Sequence, residues 1–157
     1  LDMYLTARKF FSTYTDEGKA RRKELNTLFG IPTSNNDDFH NISINAVIID
    51  VAYWRKANAI HYWFVNNVQD DVDEWGTRNE TLVDRESLQK LVDVCKEVLT
   101  DITKAPKLLP TSTGFFFGST DYDELYFRDL EFTVERLEKI LKDPIFEDVD
   151  FYYQASW

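Results

Sequence analysis

Residues 46–68 read AVIIDVAYWRKANAIHYWFVNNV, and this stretch decides the fold that we expect from the sequence. It is the longest apolar segment of the chain, but polar residues interrupt it too often for a membrane span. Asn45 stands before it as a candidate N-cap. A helix that is apolar on most of its circumference needs packing partners on several sides. The sequence therefore predicts a central apolar helix at about 46–68, around which the other elements assemble.

The flanking segments carry start and stop signals for three more helices and several short strands. Helices are predicted at 16–29, at 85–100 and from Thr120 or Asp121 to Pro144, the last with Leu125 facing inward. Strands are predicted at 3–11, 40–44, 80–83 and 149–157, and residues 115–117 are predicted to form a buried strand or a tight loop. The expected fold class is α+β, a helix-dominated single domain over 1–157 with short antiparallel strands.

Composition excludes several classes of protein. The chain has 157 residues, 43% of them hydrophobic, which argues against a disordered tail and against an integral membrane protein. Its net charge of -10 argues against direct nucleic-acid binding. The single cysteine, Cys95, cannot form an internal disulfide, and no Cys/His spacing suits zinc. We therefore expect a cytoplasmic protein without cofactor, metal or membrane association.

Polar residues on the predicted central helix form the candidate ligand site. At about 100° per residue, Trp54, Asn58 and His61 share one stripe of that helix. Arg55 lies about 60° from Asn58 and is followed by Lys56. Arg55 and Lys56 would contact a phosphate, Asn58 and His61 the polar edges of a ligand, and Trp54 would stack on it. The pattern predicts a pocket for an anionic, nucleotide-like ligand.

A simpler interpretation of the same stripe stays open. It would be the solvated side of the helix, with Arg55 and Lys56 paired to the acidic loop at 70–74 or to the acidic last helix. No metal-protease motif, nucleophile elbow or phosphate loop is present, and the acids at 121–124 lack EF-hand spacing. We therefore assign no catalytic and no metal-binding residue.

Several blocks of the sequence resemble a family of small uncharacterised proteins from bacteriophages and prophages. The blocks are YWRKANAIH with WFV and NVQD between 53 and 70, LLPT with GFFFGST and YDE between 108 and 124, and DFYYQASW at 150–157. They place a family-like core at 46–157 and a variable N-terminal part at 1–45. What the resemblance implies is origin: a phage protein that acts in the host cytoplasm.

Two functions follow as hypotheses. The first is a non-enzymatic binding protein that counters a host defence system, either by sequestering an anionic nucleotide-like signal or by blocking a host protein. The alternative is an enzyme acting on a nucleotide or nucleic acid, with His61 as acid or base and a carboxylate from 121–124 as its partner. The binder is preferred because an enzyme should show a recognisable arrangement of base, nucleophile or metal ligands. The aromatic tail allows a possible homo-oligomer.

Overall fold

A computed structural model describes residues 1–32, 41–73 and 80–157 of the chain. Contacts between Cα atoms group these residues into two compact units, a larger one of Leu1–Ala7 with Asp50–Trp157 and a smaller one of Arg8–Ile49. The strands are β1 (Asp2–Phe10), β2 (Ala46–Arg55), β3 (Thr81–Val83) and β4 (Asp150–Ser156). The helices are α1 (Asp16–Leu28), α2 (Asn58–Asn67), α3 (Arg85–Thr100), α4 (Ala105–Leu108) and α5 (Glu124–Lys142).

The four strands form one antiparallel sheet in the order β2-β1-β4-β3. β3 pairs with β4 in a register that sets Thr81 opposite Tyr153 and Val83 opposite Phe151. Helices account for 48% of the structure and strands for 20%, so the predicted helix-dominated α+β class is confirmed. Among the described residues, no helix combines the length and apolar character that crossing a bilayer requires.

The predicted central helix at 46–68 is wrong. Residues 46–55 form the strand β2, and the helix α2 begins only at Asn58. The β-branched residues Val47, Ile48, Ile49 and Val51 explain the difference, because their stiff side chains pack well on a pleated sheet and are less suited to a helix. Apolar residues cover most of the circumference that this segment would have as a helix, so the helical period is not distinctive and did not separate a strand from a helix.

Elements with local capping signals lie where the sequence predicts them. Thr15 caps α1 through a 3.0 Å bond from the Gly18 N–H, and Asp84 caps α3 at the predicted boundary. The strands predicted at 3–11, 80–83 and 149–157 correspond to β1, β3 and β4. Residues 115–117 form a tight loop and not a strand.

Three smaller predictions are wrong. Residues 41–44 form no strand, while His40 lies outside the described residues. The N-cap of α5 is Asp123, which accepts the Tyr126 N–H at 3.1 Å, instead of Thr120 or Asp121. Leu125, on the first turn of α5, is exposed and does not face the core. Asp123 directly precedes the first turn of α5, so its side chain reaches the free N–H groups of that turn.

The core of the larger unit lies where α3 packs on α5. Apolar side chains at helical spacing are buried on both helices, and fully burying one such side chain stabilises the fold by about 1.5–3 kcal/mol. Burial raises the pKa of the Cys95 thiol to about 12, so this cysteine behaves as a small apolar residue. The buried residues are Leu88, Leu91, Val92, Cys95 and Val98 on α3, and Leu130, Leu137 and Ile140 on α5.

The smaller unit is organised by a buried asparagine on α1. The Asn26 Oδ1 accepts the Ile44 N–H at 2.8 Å, and its Nδ2 donates to the Ser43 hydroxyl at 3.0 Å. Near the start of α1, a Cβ on Gly18 would lie 2.1 Å from the carbonyl oxygen of Ser12, so the chain requires glycine there. These contacts hold the segment before β2 against α1.

Candidate functional site

The connection between β2 and α2 is short and sharply turned. β2 ends at Arg55 and α2 begins at Asn58, which leaves Lys56 and Ala57 to make the turn. Lys56 has a φ of 56°, an uncommon left-handed conformation for a residue with a side chain. Gly118 lies directly against it, because a Cβ on Gly118 would be 3.1 Å from the Lys56 Cβ. The turn therefore sets two exposed cationic side chains, Arg55 and Lys56, at the start of a helix.

The first turn of α2 opens into a cleft of about 490 Å³. Ala57 is its N-cap residue, and no side chain among the described residues caps the helix. The N–H groups of the first turn have no acceptor within the helix itself, and they carry the positive end of the helix dipole. We call this space the junction cleft; it is lined by residues 55–60, Thr111, Gly118, Ser119, Asp121, Asp123, Leu125, Tyr126, Asp129 and Leu130.

Asn58 closes the base of the junction cleft by fixing the loop that follows α4. Its Nδ2 donates to the carbonyl oxygens of Phe117 and Ser119, both at 2.9 Å. Its Oδ1 accepts the Ser112 N–H, also at 2.9 Å. The residue is 4% exposed, so its amide is committed to the protein and not to a ligand. Asn58 is a positioning residue for the cleft.

Carboxylates also belong to the wall of the junction cleft. Asp121, Asp123 and Asp129 line it. Partial burial, together with the nearby charge of Asp123, raises the pKa of Asp129 to about 6. Asp123 also accepts the first-turn N–H of α5, which occupies one of its oxygens. The lining of the cleft therefore carries both signs of charge, with cations at the β2–α2 turn and carboxylates on α5 and on the segment that precedes it.

Trp54 lies in the core of the larger unit. Its side chain is 2% exposed, and its Nε1 donates to the Thr133 hydroxyl at 2.9 Å. The ring packs edge to face against Phe64 and Phe132, with centroids 6.0 Å apart in each pair. No face of the indole reaches the junction cleft, so the predicted stacking role finds no support in this geometry.

His61 occupies a buried hydrogen-bonded array. Its Nδ1 lies 2.6 Å from the Tyr153 hydroxyl, and its Nε2 lies 3.0 Å from Oδ1 of Asp73. The neutral ring satisfies both contacts, because Nε2–H donates to the carboxylate while Nδ1 accepts the tyrosine proton. Burial lowers the pKa of His61, against the opposing attraction of Asp73. With both nitrogens engaged and 1% of its surface exposed, His61 has no free position for a substrate.

A second cavity, of about 460 Å³, lies beside this array. Its walls are mostly aromatic rings and backbone, and Asp73 contributes the carboxylate. We call it the aromatic pocket; it is lined by Asp73, Ser112, Thr113, Gly114, Phe115, Phe116, Phe117 and Trp157.

The structure brings together three of the five predicted site residues. Arg55, Lys56 and Asn58 line the junction cleft, whereas Trp54 and His61 do not. Asn58 and His61 do share α2, but their side chains bind different partners.

Sequence reasoning missed Asp129, Asp73 and Tyr153 as members of the two sites. No short motif contains them together with their partners, since Tyr153 lies 92 residues from its histidine partner and Asp73 lies 12 residues away. No signal in the sequence could have joined them, because the contacts depend on the pairing of distant elements.

Within the described ranges, no group of three or more His, Cys, Asp or Glu side chains is arranged to hold a metal ion. Comparisons with protein-family models, with curated proteins and with solved structures find no match to this chain.

Proposed function

We propose that this chain is a non-enzymatic binding protein that sequesters an anionic, nucleotide-like small molecule in the junction cleft. One observation carries the proposal: an uncapped helix N-terminus opens into a cleft of about 490 Å³ whose rim holds Arg55 and Lys56. Backbone N–H groups at a helix start and a guanidinium are both suited to phosphate oxygens. The volume is that of a typical small-molecule pocket.

The biological setting of the proposal comes from the sequence blocks. Their resemblance to phage and prophage proteins supports a phage origin and action in the host cytoplasm. A phage protein that removes an anionic signal would counter a host defence system without chemistry of its own. The alternative, an enzyme that uses His61 as acid or base, finds less support because both ring nitrogens are hydrogen-bonded within the core.

The acidic wall restricts which anions fit. A ligand that places negative charge at the β2–α2 turn must present hydrogen-bond donors or neutral groups to Asp123 and Asp129. Nucleotides have this character, since a phosphate lies at one end and the base carries N–H donors at the other. A simple polyanion such as inorganic pyrophosphate would meet repulsion on the α5 side and should bind more weakly.

A thermal-shift titration with linear and cyclic nucleotides tests the proposal. A ligand at one hundred times its Kd stabilises the folded protein by about 2.7 kcal/mol, which for a chain of this size raises the melting temperature by about 5–10 °C. Heat denaturation of the complex should release the nucleotide chemically intact. Release of an altered nucleotide would favour the enzyme, and the absence of a shift with every nucleotide would overturn the small-molecule proposal.

Arg55→Ala provides the site-specific test. The side chain is exposed at the rim, so we expect the variant to melt within about 1 °C of the parent and to lose the nucleotide shift. Arg128→Ala is the matched control, because Arg128 is an exposed arginine paired to Glu124 on the surface of α5. A large loss of stability in Arg55→Ala, or equal nucleotide shifts in both variants, would contradict the assignment.

A further inference from the structure

Two of the rings that line the aromatic pocket are exposed to solvent. Phe115 is 94% exposed and Phe116 is 48% exposed. Their rings pack edge to face with centroids 4.6 Å apart. Exposing two neighbouring phenylalanine rings to water has a free-energy cost that grows with their apolar area. Exposed apolar patches commonly mark binding surfaces.

The loop that carries these rings is held in place from below. Asn58 fixes it at Ser112 and Phe117, as described above. The Phe117 N–H donates to the Gly114 carbonyl at 3.1 Å, and the Phe117 ring lies so close that a Cβ on Gly114 would be 2.5 Å from its Cγ. The exposed rings therefore stand on a preorganised support, which lowers the entropic cost of binding a partner.

The charge contributed by the residues that line the pocket is that of the Asp73 carboxylate. The Asp73 side chain is 29% exposed and turns one oxygen, Oδ1, toward the His61 Nε2–H. Asp70 and Asp71 precede it on the surface in left-handed conformations. The chain as a whole is also acidic, with a net charge of -10. Rings and carboxylates together attract cations, whereas a phosphate would be repelled here.

We propose that the aromatic pocket binds an arginine side chain presented by a basic segment of a partner protein. A guanidinium is planar and weakly hydrated, so it can stack on Phe115 or Phe116 while its N–H groups reach the Asp73 carboxylate. A lysine ammonium is compact and strongly hydrated and gains less from the rings. This inference goes beyond the proposed function, because the residues that line the aromatic pocket are not those that line the junction cleft.

Fluorescence anisotropy with labelled hexa-arginine, hexa-lysine and hexa-citrulline tests the class of ligand. At about 0.15 M salt, where charges more than about 8 Å apart are largely screened, we expect hexa-arginine to bind several-fold more tightly than hexa-lysine. Hexa-citrulline keeps the planar shape without the charge and should not bind. Equal affinity for the arginine and lysine peptides would show general attraction to an acidic protein and would overturn the proposal.

Two variants locate the contact within the pocket. Phe115→Ala and Asp73→Asn should each weaken hexa-arginine binding by about three- to tenfold. The asparagine keeps an oxygen that can accept from His61, so the variant should fold. Phe29→Ala and Asp148→Asn are matched controls at exposed positions outside the pocket. Unchanged binding in the pocket variants, or equal losses in the controls, would overturn the assignment.

The tests of the aromatic pocket and of the junction cleft use different variants, so either proposal can fail without the other. Arg55→Ala should leave hexa-arginine binding intact, and Phe115→Ala should leave the nucleotide shift intact. If Phe115→Ala instead abolished the nucleotide shift, the aromatic pocket would be a base-stacking site and the arginine proposal would be wrong.

Discussion

Replacing the buried Asn58 by alanine should be among the most destabilising single changes in the candidate site. The truncation removes three hydrogen bonds and leaves the Ser112 N–H and the carbonyls of Phe117 and Ser119 without their partner. Each lost bond of this kind costs about 1 kcal/mol, with a spread of about 0.5 kcal/mol. Alanine regains a few tenths of a kcal/mol in helix propensity. We therefore expect a loss of about 2–4 kcal/mol.

Urea unfolding followed by tryptophan fluorescence at pH 7 measures the effect. With a slope of about 2 kcal/mol per molar urea, the midpoint should fall by about 1–2 M. Asn66→Ala is the matched control, since Asn66 is exposed on the same helix. Hydrogen exchange supplies a local readout, because the Ser112 amide should lose its protection in Asn58→Ala before global unfolding occurs.

A second variant separates the amide from the volume of the side chain. Asn58→Asp keeps the oxygen that accepts the Ser112 N–H but sets a carboxylate against two carbonyl oxygens. At pH 7 it should be at least as unstable as Asn58→Ala, and it should partly recover at pH 4, where a protonated carboxyl can donate again. If Asn58→Ala lies within about 0.5 kcal/mol of Asn66→Ala, the three bonds contribute little and the reasoning fails.

Three further predictions follow from the same geometry. The pKa of Asp129 is raised to about 6 in the folded protein, so the contribution of this carboxyl to stability is lost as the pH rises from about 4 to 6. After allowance for solvent screening, Asp129→Asn should be about 1 kcal/mol more stable than the parent at pH 8 and equal to it at pH 4, as measured by urea unfolding. Tyr153→Phe leaves a buried nitrogen of His61 without its donor and should cost about 1–3 kcal/mol in the same assay. Gly118→Ala should lower the melting temperature and weaken the nucleotide shift, because its φ is 83° and the new Cβ presses on Lys56.

Each of these three has a control. Asp148→Asn removes an exposed carboxylate outside the cleft and should show no pH-dependent gain. Tyr62→Phe changes an exposed tyrosine and should leave stability within about 0.5 kcal/mol. Gly30→Ala meets the same backbone penalty at a φ of 70° but has no atom within 4 Å of the new Cβ, so it should not affect nucleotide binding. If the difference in stability between the parent and Asp129→Asn is the same at pH 4 and at pH 8, the result contradicts a raised pKa of Asp129.

Local chemistry explains which elements could be predicted from the residues alone. The α3 helix begins and ends where the sequence indicates, because Asp84 caps it and its apolar residues recur at helical spacing. The same holds for α1 behind Thr15. The apolar residues of 46–68 are not confined to one helical stripe, and the division of this segment into β2 and α2 depends on the sheet that receives β2. A segment whose apolar residues favour no single period takes the structure that its neighbours bury best.

The residues of the candidate site also differ in whether the sequence alone could identify them. Arg55, Lys56 and Asn58 could be identified as a group because they are adjacent in sequence and remain adjacent at the β2–α2 turn. The partners of His61 could not be identified, since Tyr153 comes from the last strand and Asp73 from the turn after α2.

By itself, then, the sequence determined the α+β class, the capped helices, the aromatic terminal strand and the cationic start of the junction cleft, all of which depend on neighbouring residues. Only the tertiary structure decided that residues 46–55 pair in a sheet, that Asp129 lines the same cleft as Arg55 and Lys56, and that His61 is closed in the core. Those outcomes depend on which distant surfaces exclude water from one another, and that depends on the packing of the whole chain.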